Sequence, residues 1–460
     1  MNQALLTDLY QITMAYGYWK NGIHDRQATF HLFYRKAPFG ESAAIVAGTC
    51  PALDYLEKLS FNDEELHYLE NLKGVDGTTL FEKAFLDYLK TMEWQLDVEA
   101  IPEGNLVFPN EPILRVSGPI IQGQLVETAL LNMINFQTLV ATKAARICTA
   151  AEGDDVMEFG LRRAQGPDGA LSASRAAYLG GCMATSNVLA GFKYGIPVKG
   201  THAHSWVMSF DTEDEAFNAY ADALPNNVIL LVDTYDTIEG VKKAIQVAKK
   251  LTQNGHQLLG IRLDSGDLTM LSIAARKLLD EAELHHAKII ASNDLSEHSI
   301  RELKNNGAKI DVWGIGTKLV TCHDQPALGG VYKLGAIEDR AGNKLPKVKL
   351  SNDPIKVSNP GTLQVARCVS QDGHITQDII YDEIQGLNTN INTAKYTDLL
   401  QPALRKGKRV LTNEDLSIVR TRAQQQWKNY QNKTVPTKIT VDNYVAEIKA
   451  KLINANQLQP

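Results

Sequence analysis

The 460-residue chain is poor in cysteine, and its five cysteines, Cys50, Cys148, Cys182, Cys322 and Cys368, stand far apart. No two form a CxxC pair, which argues against a zinc ribbon or a disulfide framework. Scattered cysteines with mostly apolar flanks suit a reducing, cytoplasmic setting. Long hydrophobic runs are also missing. No stretch of about 18 apolar residues occurs, so no membrane-spanning helix is expected. The opening MNQALLTDLYQITMAYGYWK has Asp8 and no basic segment ahead of an apolar run, so it does not read as a signal peptide. Basic charge is not in excess: 47 Lys and Arg face 53 Asp and Glu, a formal charge of -6. That balance gives no general attraction to nucleic acid or to an anionic membrane, so any bound anion must be held by local groups. Low-complexity segments are absent too.

Apolar residues make up 44% of the chain and charged residues 22%, enough to build a sizeable core. The length suggests roughly two to four domains. Leu5, Leu6, Leu9, Ile12, Thr13 and Tyr16 fall at helical spacing and predict an N-terminal amphipathic helix. ATFHLFYRKAPFG reads as a strand ended by Pro38 and Gly40. Residues 52 to 95 read as several short helices. VEAIPEGNLVFPNEPILRVSGPI reads as hairpin material closing an N-terminal α+β domain over residues 1–124.

From residue 125 the texture changes. A long helical stretch is followed by short apolar strands: VMEFG, IPVKG, NVILLVD, LLGIRLD, AKIIASND and KIDVWGIG. Their starts fall 40, 31, 31, 29 and 22 residues apart, with helical patterns between them. That rhythm predicts βα units around a parallel sheet buried on both faces. The expected fold is α/β: an irregular TIM-like α/β barrel over 125–335, with the N-terminal α+β domain before it and a smaller C-terminal unit over 336–460. A barrel is favoured over an open sheet because the chemistry-bearing residues stand at strand C-terminal ends, which a barrel gathers at one mouth.

Those residues form four groups. DVWGIGTKLVT puts Gly314, Gly316 and Thr317 after a strand, where backbone N–H groups cradle phosphate or simply turn the chain. GIRLDSGDL places Arg262 inside a strand, Asp264 at its end and Ser265-Gly266-Asp267 in the turn. An arginine in an apolar strand is costly unless it meets an anion. The carboxylate of Asp264 suits ribose hydroxyls or Mg²⁺, and Asp267 suits a helix cap. EFGLRRAQGPDG offers Phe159 as a stacking plate or a core residue, and Arg162 and Arg163 as an anion fork or a solvated turn. Asn293 closes another strand end. GTHAHSW sets Thr201, His202 and His204 together. The pair of histidines reads as a metal clamp with Asp233 or Asp264, as one nucleophilic imidazole, or as a hydrogen-bonded loop.

The motifs LTDLYQITMAYGYWK, FHLFYRKAPFGESAAIVAG, EFGLRRAQGPDGA, SNVLAGFKYGIPVKGTHAHSW, RLDSGDL, ASNDLSE and GIGTKLVTC…ALGGVYKL occur in this order. Together they closely resemble the nicotinate phosphoribosyltransferases, from residue 5 to about 370. The resemblance implies an irregular α/β barrel with an N-terminal α+β domain. It also implies transfer of a phosphoribosyl group from phosphoribosyl pyrophosphate to nicotinate, coupled to ATP hydrolysis through a phosphohistidine, with Mg²⁺ as cofactor. The family's GTxAHS motif matches Gly200–Ser205, so His204 is the expected phosphorylated residue and His202 fills the variable position. Asp264 is expected beside it in catalysis. Tyr10, Phe159, Arg162, Thr201 and Arg262 are expected around nicotinate, with Tyr10 donated across a homodimer. Ser265, Gly266, Asn293, Gly314, Gly316 and Thr317 are expected around the phosphoribosyl group and phosphates. The rival expectations are the same transfer to nicotinamide or quinolinate, a metal-dependent barrel hydrolase, and a catalytically silent sensor of NAD precursors.

Overall fold

The computed structural model describes residues 4–387, 396–432 and 437–457. The chain divides into two compact units. One joins Met1–Leu139 to Ala327–Pro460, and the other is continuous, Val140–Pro326. The boundaries expected at 124 and 335 therefore differ from those of the compact units. The C-terminal stretch does not stand as a unit of its own, because strands such as Gln401–Arg405 join a sheet begun near the N-terminus.

In the two-segment unit, helix Leu9–Lys20 starts at Asp8, whose side chain and Gln11 form a capping box. Three short helices, Thr49–Glu57, Asp63–Glu70 and Lys83–Thr91, fill the region where helices were expected. A seven-stranded sheet runs in the order Lys344–Pro346, Gly330–Glu338, Gln27–Tyr34, Leu114–Pro119, Asp97–Ala100, Gln401–Arg405, Lys408–Arg409. Its interior strand Gln27–Tyr34 is buried along nearly its whole length, which explains its continuous apolar and aromatic character. Buried Arg115 ties distant segments together: Nε donates to Glu99 at 3.1 Å, Nη2 to Glu383 at 2.6 Å and Nη1 to the carbonyl of Leu363 at 3.0 Å. The hairpin expected around Ser370–His374 forms, with Leu363–Val369 antiparallel to Ile375–Asp382.

The continuous unit is built on a curled, six-stranded parallel sheet. Its order is Ala184–Thr185, Asp155–Glu158, Val312–Ile315, Lys288–Ala291, Leu258–Leu263, Val228–Leu231. Five of the expected strands are present. The sixth, IPVKG, is reduced to a single bridge between Val198 and Thr185, because Gly200 and Pro197 leave little backbone to pair. Helices separate the strands as the apolar spacing requires. Thr237–Gln253 buries Val241, Ala244, Ile245, Ala248 and Leu251 and ends at Asn254. Asp267 caps Leu268–Glu281 by accepting from the N–H of Met270 at 3.1 Å. No helix among the described residues is long and apolar enough to cross a membrane.

Candidate active site

Parallel strands leave their C-terminal ends on one side, and short loops there carry the polar residues. Arg262 is the hub. It sits in Leu258–Leu263 with its side chain 15% exposed. Its Nε donates to Ser292 Oγ at 2.8 Å, Nη1 to Thr201 Oγ1 at 3.2 Å and Nη2 to Asp264 Oδ1 at 2.9 Å. These bonds use three of the five N–H groups of a guanidinium and leave the others for a ligand. The guanidinium carbon lies over the Phe159 ring, 6.0 Å from its centroid, so the cation faces the ring's π surface.

Phe159 follows the Asp155–Glu158 strand, and its N–H donates to the carbonyl of Ile315 at 2.7 Å. Gly314 explains where the ring goes. A Cβ there would stand 2.7 Å from Phe159 Cδ2 and 2.8 Å from Cε2, so the missing side chain is the space the ring occupies. Gly160 is required as well, because a Cβ would collide with Val320. Below this turn Glu158 is fully buried and accepts from Ser174 Oγ at 2.7 Å, Thr185 Oγ1 at 2.6 Å and the N–H of Gly160. It fixes the strand end that presents Phe159. A cavity of about 350 Å³ touches Phe159 and Thr201 at one end and runs toward the N-terminal ends of the strands, where Asp155, Asn227, Gln257, His286 and Lys288 line it; Arg262, Asp264 and His204 do not line it. Its size falls within the range of small-molecule sites.

Asp264 faces two ways. Oδ1 accepts from Arg262 and Ser292, while Oδ2 lies 3.8 Å from Nε2 of His204. Burial opposes its ionisation, but the Ser292 hydroxyl and the Arg262 guanidinium outweigh burial and hold it below the usual carboxylate range. Its N–H donates to Asp233 Oδ2 at 2.8 Å, and Ser265 Oγ donates to the same oxygen at 2.6 Å. The other oxygen of Asp233, Oδ1, is buried with no hydrogen-bond partner. His204 opens the short helix His204–Met208, and its Nδ1 lies 3.1 Å from Thr234 Oγ1. Its side chain is 40% exposed, which leaves Nε2 facing open space beside Asp264.

His202 behaves differently. It is buried, and burial holds its pKa below the ordinary value. Nε2 accepts from the N–H of Leu231 at 3.2 Å, and Nδ1 lies 3.3 Å from the carbonyl oxygen of Ala203. Both ring nitrogens are therefore engaged by backbone, and the HxH pair does not form the metal clamp that a hydrolase would need. Among the described residues, the three-member grouping of metal-ligating side chains is Glu297, His298 and Asp324. Lys143 and Arg146 already neutralise Glu297 there.

The remaining candidates lie around this cluster. Asn293 and Asp294 take left-handed backbone, φ +96 and +37, just after Lys288–Ala291. Lys318 Nζ lies 3.3 Å from Asp294 Oδ2, which draws that turn to Gly316 and Thr317. Ser265 and Gly266 are exposed, with Gly266 at φ +77. Arg162 and Arg163 are exposed on the turn Leu161–Arg163, outside the hydrogen-bonded cluster. Tyr10 lies in the two-segment unit, 48% exposed on helix Leu9–Lys20. Four residues were not singled out as contacts by sequence reasoning. Ser292 and Thr234 each follow a recognised strand, but their roles depend on tertiary partners. Asp233 was weighed only as a metal ligand. Glu158 carries no motif at all.

An aromatic ring facing a guanidinium, with a histidine and paired carboxylates in reach, has the makings of an α/β enzyme site. The chain's relatives agree. Residues 5–135 match the nicotinate phosphoribosyltransferase N-terminal domain, and residues 155–374 match the nicotinate phosphoribosyltransferase family. A Bacillus subtilis nicotinate phosphoribosyltransferase is 48% identical over 385 residues, 83% of this chain and 76% of that one. A human nicotinate phosphoribosyltransferase is 37% identical over 432 residues, 82% of this chain and 79% of that one. The crystal structure of human nicotinic acid phosphoribosyltransferase superposes with a TM-score of 0.83, covering 97% of this chain and 99% of that chain at 30% identity. The chain belongs to the nicotinate phosphoribosyltransferase family, a family of enzymes.

Proposed function

We propose that the protein joins nicotinate to 5-phosphoribosyl 1-pyrophosphate, giving nicotinate mononucleotide and pyrophosphate, and couples this to ATP hydrolysis. The observation that supports it best is the Arg262 hub: a guanidinium fixed by Thr201, Ser292 and Asp264, with spare donors, beside the Phe159 ring. A pyridine ring on Phe159 presents its carboxylate to those donors. A carboxylate accepts two parallel N–H bonds from a guanidinium, whereas a neutral amide gives a weaker match. That favours nicotinate over nicotinamide.

The pyridine nitrogen attacks the anomeric carbon, the bond from that carbon to the pyrophosphate oxygen breaks, and pyrophosphate leaves with the electron pair. No general base is needed, since the pyridine nitrogen already carries a lone pair. The transition state is oxocarbenium-like, as in glycoside hydrolysis, so the chain's task is to align the ring and to stabilise charge on both partners. Gly316, Thr317, Ser265, Gly266 and the Asn293 turn supply donors and close backbone for the phosphoribosyl group. Arg162 is a further candidate contact on the nicotinate side.

Asp233 and Asp264 fit Mg²⁺, since Asp233 Oδ1 is a buried acceptor without a partner and Mg²⁺ favours one or two carboxylates plus substrate phosphates. When bound, Mg²⁺ would neutralise charge on the pyrophosphate. His204 Nε2 takes the terminal phosphoryl group of ATP, ADP leaves, and Thr234 holds Nδ1 so that Nε2 presents its lone pair. The phosphoryl group adds a charge of about -1.5 to -2 at the turn that carries Thr234 and favours the substrate-bound arrangement.

The curled sheet belongs, on this reading, to an irregular TIM-like α/β barrel. Tyr10 acts from the second subunit of a homodimer, consistent with its exposure next to Leu9 and Met14. A cytoplasmic location suits five cysteines that are all free.

The test mixes protein, Mg²⁺, phosphoribosyl pyrophosphate and either nicotinate or nicotinamide, with and without ATP. Nicotinate-dependent mononucleotide, raised by ATP and matched by ADP, is expected. His204→Ala is expected to lose the ATP stimulation and keep slow transfer. Full ATP stimulation in that variant would sink the phosphohistidine step, and preference for nicotinamide would sink the substrate assignment.

A further inference from the structure

The two edges of the parallel sheet, Ala184–Thr185 and Val228–Leu231, are bridged by the segment that carries Thr201 and His204. On one side the bridge is backbone. Thr185 N donates to the carbonyl of Pro197, and Lys199 N donates to the carbonyl of Thr185, both at 3.0 Å. On the other side it is a side chain: the N–H of Leu231 donates to Nε2 of His202 at 3.2 Å. An edge N–H in a buried strand needs such an acceptor. Two residues further along one segment and three along the other the pattern continues, for His204 Nδ1 meets Thr234 Oγ1 at 3.1 Å. The two histidines thus make successive rungs between the same pair of segments. The His202 ring is held by Tyr220, edge-on with centroids 4.8 Å apart, and by Phe217 at 6.2 Å. Its immediate neighbour Thr201 accepts from Arg262.

We propose that His202 is a positioning residue: it stands in for the missing strand pairing at Leu231 and thereby fixes Thr201 and His204 in the site. The proposal rests on the reading that His204 takes a phosphoryl group and Thr201 lies against nicotinate. The ring does this through one acceptor atom, Nε2, with its proton on Nδ1 directed to the Ala203 carbonyl. A glutamine amide reaches a similar position and offers a carbonyl oxygen to Leu231. A phenylalanine keeps the packing on Phe217 and Tyr220 and offers no acceptor.

The experiment compares full-length wild type, His202→Phe and His202→Gln. It measures the initial rate of acid-labile ³²P incorporation from γ-labelled ATP with Mg²⁺, the nicotinate KM and kcat separately, and Tm. His202→Phe is expected to label at least about tenfold more slowly and to raise nicotinate KM about tenfold, the loss that one buried hydrogen bond brings. His202→Gln is expected to recover both to within about threefold. Labelling and KM at wild-type values in a folded His202→Phe would overturn the proposal. So would a folded His202→Gln as impaired as His202→Phe, since packing would then be the cause. If His202→Phe does not fold, the glutamine variant decides alone: folded and unimpaired supports the proposal, folded and impaired overturns it. A wild type that takes no phosphate refutes the phosphohistidine step, and His202 then stands or falls on the nicotinate KM.

Discussion

Gly314→Ala isolates the contact between sheet and substrate ring. The new Cβ would lie 2.7 and 2.8 Å from two carbons of Phe159 and 3.5 Å from Ser292 Cβ. Carbon atoms pack at roughly 3.5–4.0 Å, so the Phe159 ring must retreat by about 1 Å. Overpacking of this kind costs roughly 1–3 kcal/mol of stability. The larger effect falls on the ligand, because a misplacement of about 1 Å at a reacting site costs on the order of 100-fold. The displaced ring also leaves its place beside Arg262. The expected result is a nicotinate KM raised about tenfold or more, a kcat reduced by a similar factor, and a phosphoribosyl pyrophosphate KM changed much less. Steady-state kinetics with each substrate varied in turn, together with a thermal melt, reads all of these. Gly169→Ala is the control, since it lies in helix Gly166–Leu179 and its Cβ would meet nothing within 4 Å. It is expected to leave the nicotinate KM within about twofold. A Gly314→Ala enzyme with unchanged nicotinate KM would refute the assignment of Phe159 as the ring's plate.

Two further outcomes follow from the geometry. Arg262→Lys keeps the charge but loses the planar fork to Thr201, Ser292 and Asp264, so kcat/KM for nicotinate should fall about 100-fold; a fall below about threefold would show that the fork is not used. His31 is buried in the interior strand Gln27–Tyr34 and accepts from the N–H of Leu363 at 3.1 Å. Burial and then Arg115 push its pKa down from 6.5 to about 3. Because the folded value is depressed, its stability is fully present above the unfolded pKa and is lost as pH falls from 6.5 toward 3. At pH ~4.5 the loss should be roughly 2.5 kcal/mol. Urea midpoints at pH ~7 and ~4.5 should therefore differ less in His31→Gln than in wild type, and an equal difference would contradict the buried, neutral imidazole.

Much of the site was legible because its residues announce themselves by position. Arg262 in an apolar strand, Gly314 and Gly316 after another, and His204 in GTHAHS each break a local rule, and breaks of that kind gather where function is. The sheet was legible from its βα rhythm. The expected IPVKG strand shrank to a bridge on Thr185, because Pro197 and Gly200 leave little backbone to pair. The C-terminal segment read as a separate unit because the βα rhythm stops there. Its strand Gln401–Arg405 pairs with Asp97–Ala100, some 300 residues earlier, and pairing at such distance leaves no local trace. His202 looked like filling because its neighbours in sequence carry the motif, while its own partner, Leu231, lies across the sheet.

That interleaved sheet has a consequence for the protein's synthesis. Strand Asp97–Ala100 leaves the ribosome long before its partner Gln401–Arg405 exists. At about 5–20 residues per second the wait is roughly 15–60 s. Val140–Pro326, continuous in sequence, is complete well before then and has all its own strands to hand. The nascent chain therefore finishes its middle first, while Val98 and Ala100, wholly buried in the finished protein, stand at an open edge. For that interval the emerging polypeptide exposes an apolar strand edge to its surroundings, and holding chaperones have their reason to bind the N-terminal segment rather than the catalytic one.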